Sequence, residues 1–193
     1  MASVAALSCR VEDAGTIKPF LDMINSETSR INQIIDDMLE LSRSVSFDSH
    51  PNSITRILED VLRAFAQDKP EEGVKIEMKF EDYIPPIRCD AQRLRKAIAA
   101  IVQNAYEAGA TTIVIQGQMD PDNNSVMIQI RDNGEGLPPE AMQKAFEPFY
   151  STRRKKAGLG LSVVDHVIRS LGGNITLESS PAGTSVKITL PVK

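Results

Sequence analysis

Residues 125–138 read "SVMIQIRDNGEGLP". Val126, Ile128 and Ile130 fall on one side of an alternating run, as in a half-buried strand. The run stops on Asp132 and an asparagine, followed by Gly134 and Gly136, one residue apart. Glycine removes Cβ where backbone must come close to another group. A strand that ends in a carboxylate and bare backbone points to a flat, polar ligand there. A strand-end turn capped by Asp132 is the plain alternative.

Upstream, "DAQRLRKAIAAIVQNAYEAG" (90–109) reads as a helix with Asp90 as N-cap and Gly109 as stop. Its buried stripe is Leu94, Ile98, Ile101, Val102 and Ala105. Strands are expected at 74–80, 111–116 and 126–131, the last two joined by the turn "DPDNNS", and a helix over 53–67. Downstream come a short helix, an irregular basic stretch, a helix over 159–171 closed by Gly172 and Gly173, and a strand hairpin around "SPAGT". The fold class this predicts is α+β, with helices layered on a mixed sheet.

"FDSHPNS" (47–53) is polar and carries a proline, so it marks a boundary between residues 1–48 and a domain over 51–193. Before it, Ile17, Ile24, Ile31, Met38 and Val45 recur every seven residues, with Leu21, Thr28, Ile35 and Ser42 four steps later. That pattern predicts a long helix with a coiled-coil-like seam. Val4, Leu7 and Val11 also keep helical spacing, and "DAGT" (13–16) reads as a turn ending on an N-cap threonine. The result is a helical hairpin with a short first arm. Unequal arms leave part of the apolar stripe uncovered, which calls for another chain, another domain or a missing segment.

With 41% hydrophobic and 25% charged residues in 193, the chain can bury an ordinary core. A net charge of −4 argues against nucleic acid as the main partner, with only "RRKK" (153–156) standing against that. No apolar run approaches the roughly 18 residues that span a bilayer. The sequence thus predicts a soluble, cytoplasmic piece, tied to a membrane only through a longer parent. Cys9 and Cys89 form no framework or metal spacing, and His50 and His166 are isolated.

Four clusters sit at element ends: "QNAYEAG" (103–109), "DNGEGLP" (132–138), "GLGLS" (158–162) and "AGTS" (182–185). Glycine pairs alone more often end elements than hold ligands. In this order, with "FEPFYST" (146–152) between them, they resemble the N, G1, G2 and final glycine boxes and the phenylalanine box of sensor histidine kinases. The resemblance covers the Bergerat-type ATP-binding domain of that family, over residues 51–193.

The resemblance implies a role for each match. Asp132 would accept from the adenine amine and discriminate against guanine's carbonyl, with Gly134 and Gly136 letting backbone approach the purine. Asn104 would coordinate the magnesium ion that bridges the phosphates. Gly158, Gly160 and the helix starting near Leu161 would meet phosphates with N-terminal amides. Thr184 would help fix the aspartate and adenine, and Arg153, with Arg154 and Lys156, would answer phosphate charge. A solvated loop is the bland reading for those three cations.

Departures from the pattern are also legible. Ala100 stands where the N box often begins with asparagine, Lys156 where the G2 box has another glycine, and Glu107 and Ala108 where many relatives carry a lysine and an aromatic. Gyrase-like, Hsp90-like and mismatch-repair relatives place a water-activating glutamate one turn before the asparagine. Ala100 lacks that base, which favours a kinase over a hydrolase.

"SETSRINQIIDDMLELSRSV" (26–45) resembles the second helix of the family's dimerisation and phosphotransfer hairpin. The first helix should carry the acceptor histidine box, which is absent; the expectation is a chain that starts just after it and does not phosphorylate itself there. The implied activity is Mg-ATP-dependent transfer to a histidine and on to a response regulator, by a homodimer paired through the hairpin. A degenerate docking module is the alternative, and a serine kinase of the anti-sigma type a further one.

Overall fold

The structure is a computed structural model describing residues 14–42, 49–68, 73–81, 83–120, 122, 124–153 and 156–192. Two compact units divide after Ser42.

The first unit holds helix α1, Ala14–Ser42. At about 1.5 Å per residue it runs roughly 43 Å. Ile17, Ile24, Ile31, Ile35 and Met38 of the heptad pattern are exposed along it. The described part of the turn expected at 13–16 is helical instead. Ala14 is a strong helix former, and Gly15 and Thr16 cost at most about 1 kcal/mol each, which a long helix tolerates. The expected first arm, with Val4, Leu7 and Val11, and also Val45, lies outside the described residues.

The second unit is the α+β domain. Its strands are β1 (His50–Asn52), β2 (Lys75–Phe80), β3 (Ile87–Cys89), β4 (Thr112–Asp120), β5 (Ser125–Asp132), β6 (Asn174–Ser180) and β7 (Gly183–Pro191). Its helices are α2 (Ile54–Asp68), α3 (Ala91–Glu107), α4 (Pro139–Gln143) and α5 (Gly160–Ser170). Five strands form one sheet in the order β2-β4-β5-β7-β6. β2 and β4 are parallel and every other pair is antiparallel, so the sheet is mixed as expected. β1 and β3 form a separate antiparallel ladder, which periodicity did not reveal.

One face of the sheet is apolar. Ile113 and Ile115 on β4, Val126 and Ile128 on β5, and Ile188 and Leu190 on β7 are buried, while Gln116, Gln118 and Arg131 on the alternate positions are exposed. Such one-sided burial is what an antiparallel sheet permits. On the helices, Leu94, Ile98 and Val102 of α3 are fully buried at four-residue spacing, and α3 packs between α2 and α5. Each such side chain contributes about 1.5–3 kcal/mol.

The ends of α3 are fixed in register. Asp90 Oδ1 accepts from the N–H groups of Gln92 and Arg93 at 2.9 and 3.2 Å. At the other end Gly109 has φ +73°, and the N–H groups of Gly109 and Ala110 donate to Tyr106 and Ala105. This is the left-handed glycine stop in its doubly bonded form. It turns the chain directly into β4.

Ile98→Ala should lower the unfolding free energy by about 2–5 kcal/mol in urea denaturation. Cys89 is fully buried in β3, and burial first, then the Asp90 charge, push its thiol up to about 11 against a weaker opposing hydrogen bond with Asn52. In a Cys9→Ser background a disulfide reagent at neutral pH should therefore label Cys89 only as fast as the domain opens, read by absorbance.

Candidate functional site

Asp132 is the last residue of β5 and is 8% exposed. Its Oδ1 accepts from Gly134 N–H at 2.8 Å and from Thr184 N–H, on β7, at 3.3 Å. Among the described residues both bonds fall on Oδ1, which leaves Oδ2 to accept from a ligand. The next residue is a brace that the motif reading missed. Asn133 Oδ1 accepts from the N–H groups of Thr111 and Thr112 at 2.9 Å each, and its Nδ2 donates to Thr111 Oγ1 at 2.9 Å. Its only sequence signal is its place between the strand's end and a glycine.

The glycines have reasons nearer than a purine. A Cβ on Gly134 would lie 2.7 Å from the carbonyl oxygen of Ala108, just past α3, and one on Gly136 (φ +69°) would lie 1.9 Å from that of Ser180. Gly183 (φ +126°) approaches the Asp132 carbonyl in the same way. What the missing Cβ atoms clear is protein backbone, so the loop is clamped between α3 and the β6–β7 hairpin. Ser179 Oγ completes the clamp, accepting from Leu137 N–H at 2.8 Å and sharing a 2.9 Å hydrogen bond with Thr184 Oγ1. Thr184 thus fixes Asp132 through its backbone and the loop through its hydroxyl.

Ala108 follows the turn of α3 that carries Asn104, which is half-buried and makes no side-chain hydrogen bond to another described residue. Glu107 lies one turn on and is far from idle. Its carboxylate accepts from Gln103 Nε2 at 2.7 Å, from Arg153 at 3.3 Å and from Lys156 Nζ. The second arm of Arg153 reaches Glu135 at 3.4 Å. Burial pushes the Glu107 carboxyl up, but the hydrogen bonds from Lys156 and Gln103 and the charges of Lys156 and Arg153 outweigh it and hold the group below its ordinary 4.5. Arg154 lies outside the described residues.

Arg153 and Lys156 belong to a stretch whose ends meet. A Cβ on Gly158 (φ +71°) would fall 2.4 Å from the Tyr150 carbonyl oxygen, and Phe149 itself has φ +66° and is exposed. Beyond it, α5 begins at Gly160 with no side-chain cap, so the first amides of the helix, Leu161 among them, are open to an anion. Nothing lies within 4 Å of a Cβ built on Gly160. The donor set fits an adenine nucleotide with a hard cation: a free carboxylate oxygen, an unused amide oxygen, two cations and an uncapped helix start.

The profile described as "Histidine kinase-, DNA gyrase B-, and HSP90-like ATPase" matches residues 89–193, more than half of the chain. The chain belongs to this ATPase family. Among relatives, sporulation kinase E of Bacillus subtilis (strain 168) is 31% identical over 178 residues, covering 90% of this chain and 24% of that protein. The sensor histidine kinase ZraS of Klebsiella oxytoca is 26% identical over 168 residues, 86% of this chain and 36% of the relative. The chain thus spans between about a quarter and a little over a third of the length of these curated relatives. The Acinetobacter baumannii histidine kinase AdeS superposes with TM-score 0.74 at 21% identity, over 89% of this chain and 83% of that one. The histidine kinase ThkA, solved with its response regulator TrrA, gives 0.78 at 21% identity, over 100% of this chain and 56% of that one. Within the ATPase family, the likeness is to the ATP-binding catalytic core of sensor histidine kinases.

Gly136→Ala should cost more than about 2 kcal/mol, because a Cβ there meets both the left-handed penalty and an occupied site, whereas Gly160→Ala should stay within about 1 kcal/mol of the parent. Paired thermal melts of the two variants check this. For Glu107 the folded value lies below the unfolded one, so its stabilisation is present above 4.5 and is lost as pH falls below it. The stability gap between the parent and Glu107→Gln should accordingly be full near neutrality and close in acid, measured by urea titrations across that range.

Proposed function

We propose that this chain is the ATP-binding catalytic core of a two-component sensor histidine kinase, moving the γ-phosphoryl group of ATP to a histidine outside this sequence and from there to a response-regulator aspartate. The observation that carries the reading is the clamped loop that presents one free carboxylate oxygen of Asp132 beside the helix turn bearing Asn104.

Each residue has a task in that chemistry. Asp132 Oδ2 accepts from the exocyclic amine of adenine and meets repulsion from guanine's carbonyl oxygen. Thr184 and Gly134 hold that carboxylate in place through their N–H groups. Asn104 would supply an oxygen ligand to magnesium, a hard cation that suits it. Bound magnesium neutralises phosphate charge; the rest falls to the chain. The open amides at the start of α5, with the charges of Arg153, Arg154 and Lys156, would answer the phosphate oxygens and favour in-line displacement of the terminal group. Ala100, one turn before Asn104, provides no carboxylate to activate water, so the ordered triphosphate waits for an acceptor.

The acceptor is not a histidine of this domain. His166 sits in α5 with a buried Nε2, and His50 lies in β1 beside Pro51, neither in a hairpin histidine box. The exposed stripe of α1 supports pairing of two copies through the helical hairpin, and the solved ThkA–TrrA complex supports a response-regulator partner. No described helix is long and apolar enough to cross a membrane; a cytoplasmic setting, alone or beneath a membrane-bound sensor, suits the reading.

Calorimetric titration with Mg-ATP should show saturable binding that Asp132→Asn weakens at least tenfold, since an amide offers the adenine amine a poorer and mispaired partner. Phosphoryl transfer to a separately supplied hairpin carrying the acceptor histidine should follow. Binding without any transfer would favour a docking module derived from a kinase.

A further inference from the structure

Glu107 is the residue of the site that the nucleotide reading leaves without a task. It stands three residues after Asn104, so the two side chains share one face of α3. Its carboxylate is only 15% exposed, yet it gathers two cations and an amide donor. Both cations come from the stretch between Phe149 and Gly158, 46 and 49 residues further along the chain. The cations suited to phosphate are thus paired with a carboxylate of the chain itself. A carboxylate with two cations is also a fair electrostatic copy of a phosphate oxygen held by the same groups.

We propose that Glu107 is an internal stand-in for the terminal phosphate of the nucleotide: it holds Arg153 and Lys156 while the site is empty and yields them to a triphosphate, setting the preference between ATP and ADP. This rests on the nucleotide reading above. Two features of the geometry make the exchange feasible. The cations are 32% and 52% exposed, so they can swing away from Glu107 without opening the core. Gln103 Nε2 is itself a donor to the carboxylate and stays on the same helix, so Glu107 keeps one partner after the cations leave.

The exchange makes Glu107 an opponent of the third phosphate. A diphosphate that stops short of Arg153 and Lys156 leaves the cluster intact, whereas a triphosphate must displace Glu107 and then sit near its charge. Replacing the carboxylate by an amide of the same shape removes both costs. Glu107→Gln keeps an oxygen for Gln103 to bond and frees both cations in advance.

The test is calorimetric titration of the parent and Glu107→Gln with Mg-ATP and with Mg-ADP, together with thermal melts with and without saturating ATP. The expected result is ATP binding tightened about 3- to 10-fold with ADP unchanged. The melting point of Glu107→Gln should fall below that of the parent in the empty protein, and the gap should close in ATP. Equal effects on ATP and ADP, no effect on either, or weaker ATP binding would each overturn the exchange, the last by making Glu107 a support that presents the cations. A melting gap that persists in ATP would overturn it too, because the cations would then still be on Glu107. If the parent binds neither nucleotide, the functional reading fails first and this inference with it.

Discussion

Asp132 Oδ1 accepts from two backbone N–H groups far apart in sequence, one in the loop that follows β5 and one at the start of β7. A carboxylate with two amide donors on one oxygen is held in position and orientation without any cation. The other oxygen inherits that rigidity. Around it the loop has no freedom of its own, since Asn133 ties it to the start of β4, Gly134 sits on Ala108 and Gly136 sits on Ser180. The recognition group is therefore built on strands and a helix end, where placement is more exact than on a free loop.

The charge arrangement follows a second logic. The chain as a whole is acidic, at −4, and nothing about its global field would draw in a nucleotide. Among the described residues, the groups suited to attract it are the backbone amides at the start of α5 and the cations Arg153 and Lys156, both paired with Glu107. Specificity is then decided at short range.

How much of this was legible before any coordinates depends on periodicity. α3 and β5 were readable because their apolar stripes are long and their ends carry Asp90, Gly109 and Asp132, residues with a local reason to be there. β1 and β3 were not, since three residues each, one of them Pro51, contain no period to detect; their pairing of Asn52 with Ile87 is a tertiary fact. The glycines show a different limit. Space left by a missing Cβ can be filled by a ligand or by the chain, and only the fold reveals that Ala108, Ser180 and Asp132 fill it at Gly134, Gly136 and Gly183. The cationic partners of Glu107 lie in a basic stretch that, taken alone, reads as a solvated loop, so this residue registered only as a departure from a pattern.

The strand order carries a consequence for how the domain comes into being. Of the described strands β7 comes last in the chain, yet it lies inside the sheet, between β5 and β6, rather than at an edge. A growing chain that has reached Ser180 possesses every described helix, but its β6 has no neighbour among the described strands and Asp132 lacks the donor that Thr184 provides. Long-range pairing of this kind forms late. Insertion of β7 finishes the core and orients the carboxylate in a single event, so a partly synthesised domain has no competent site to offer.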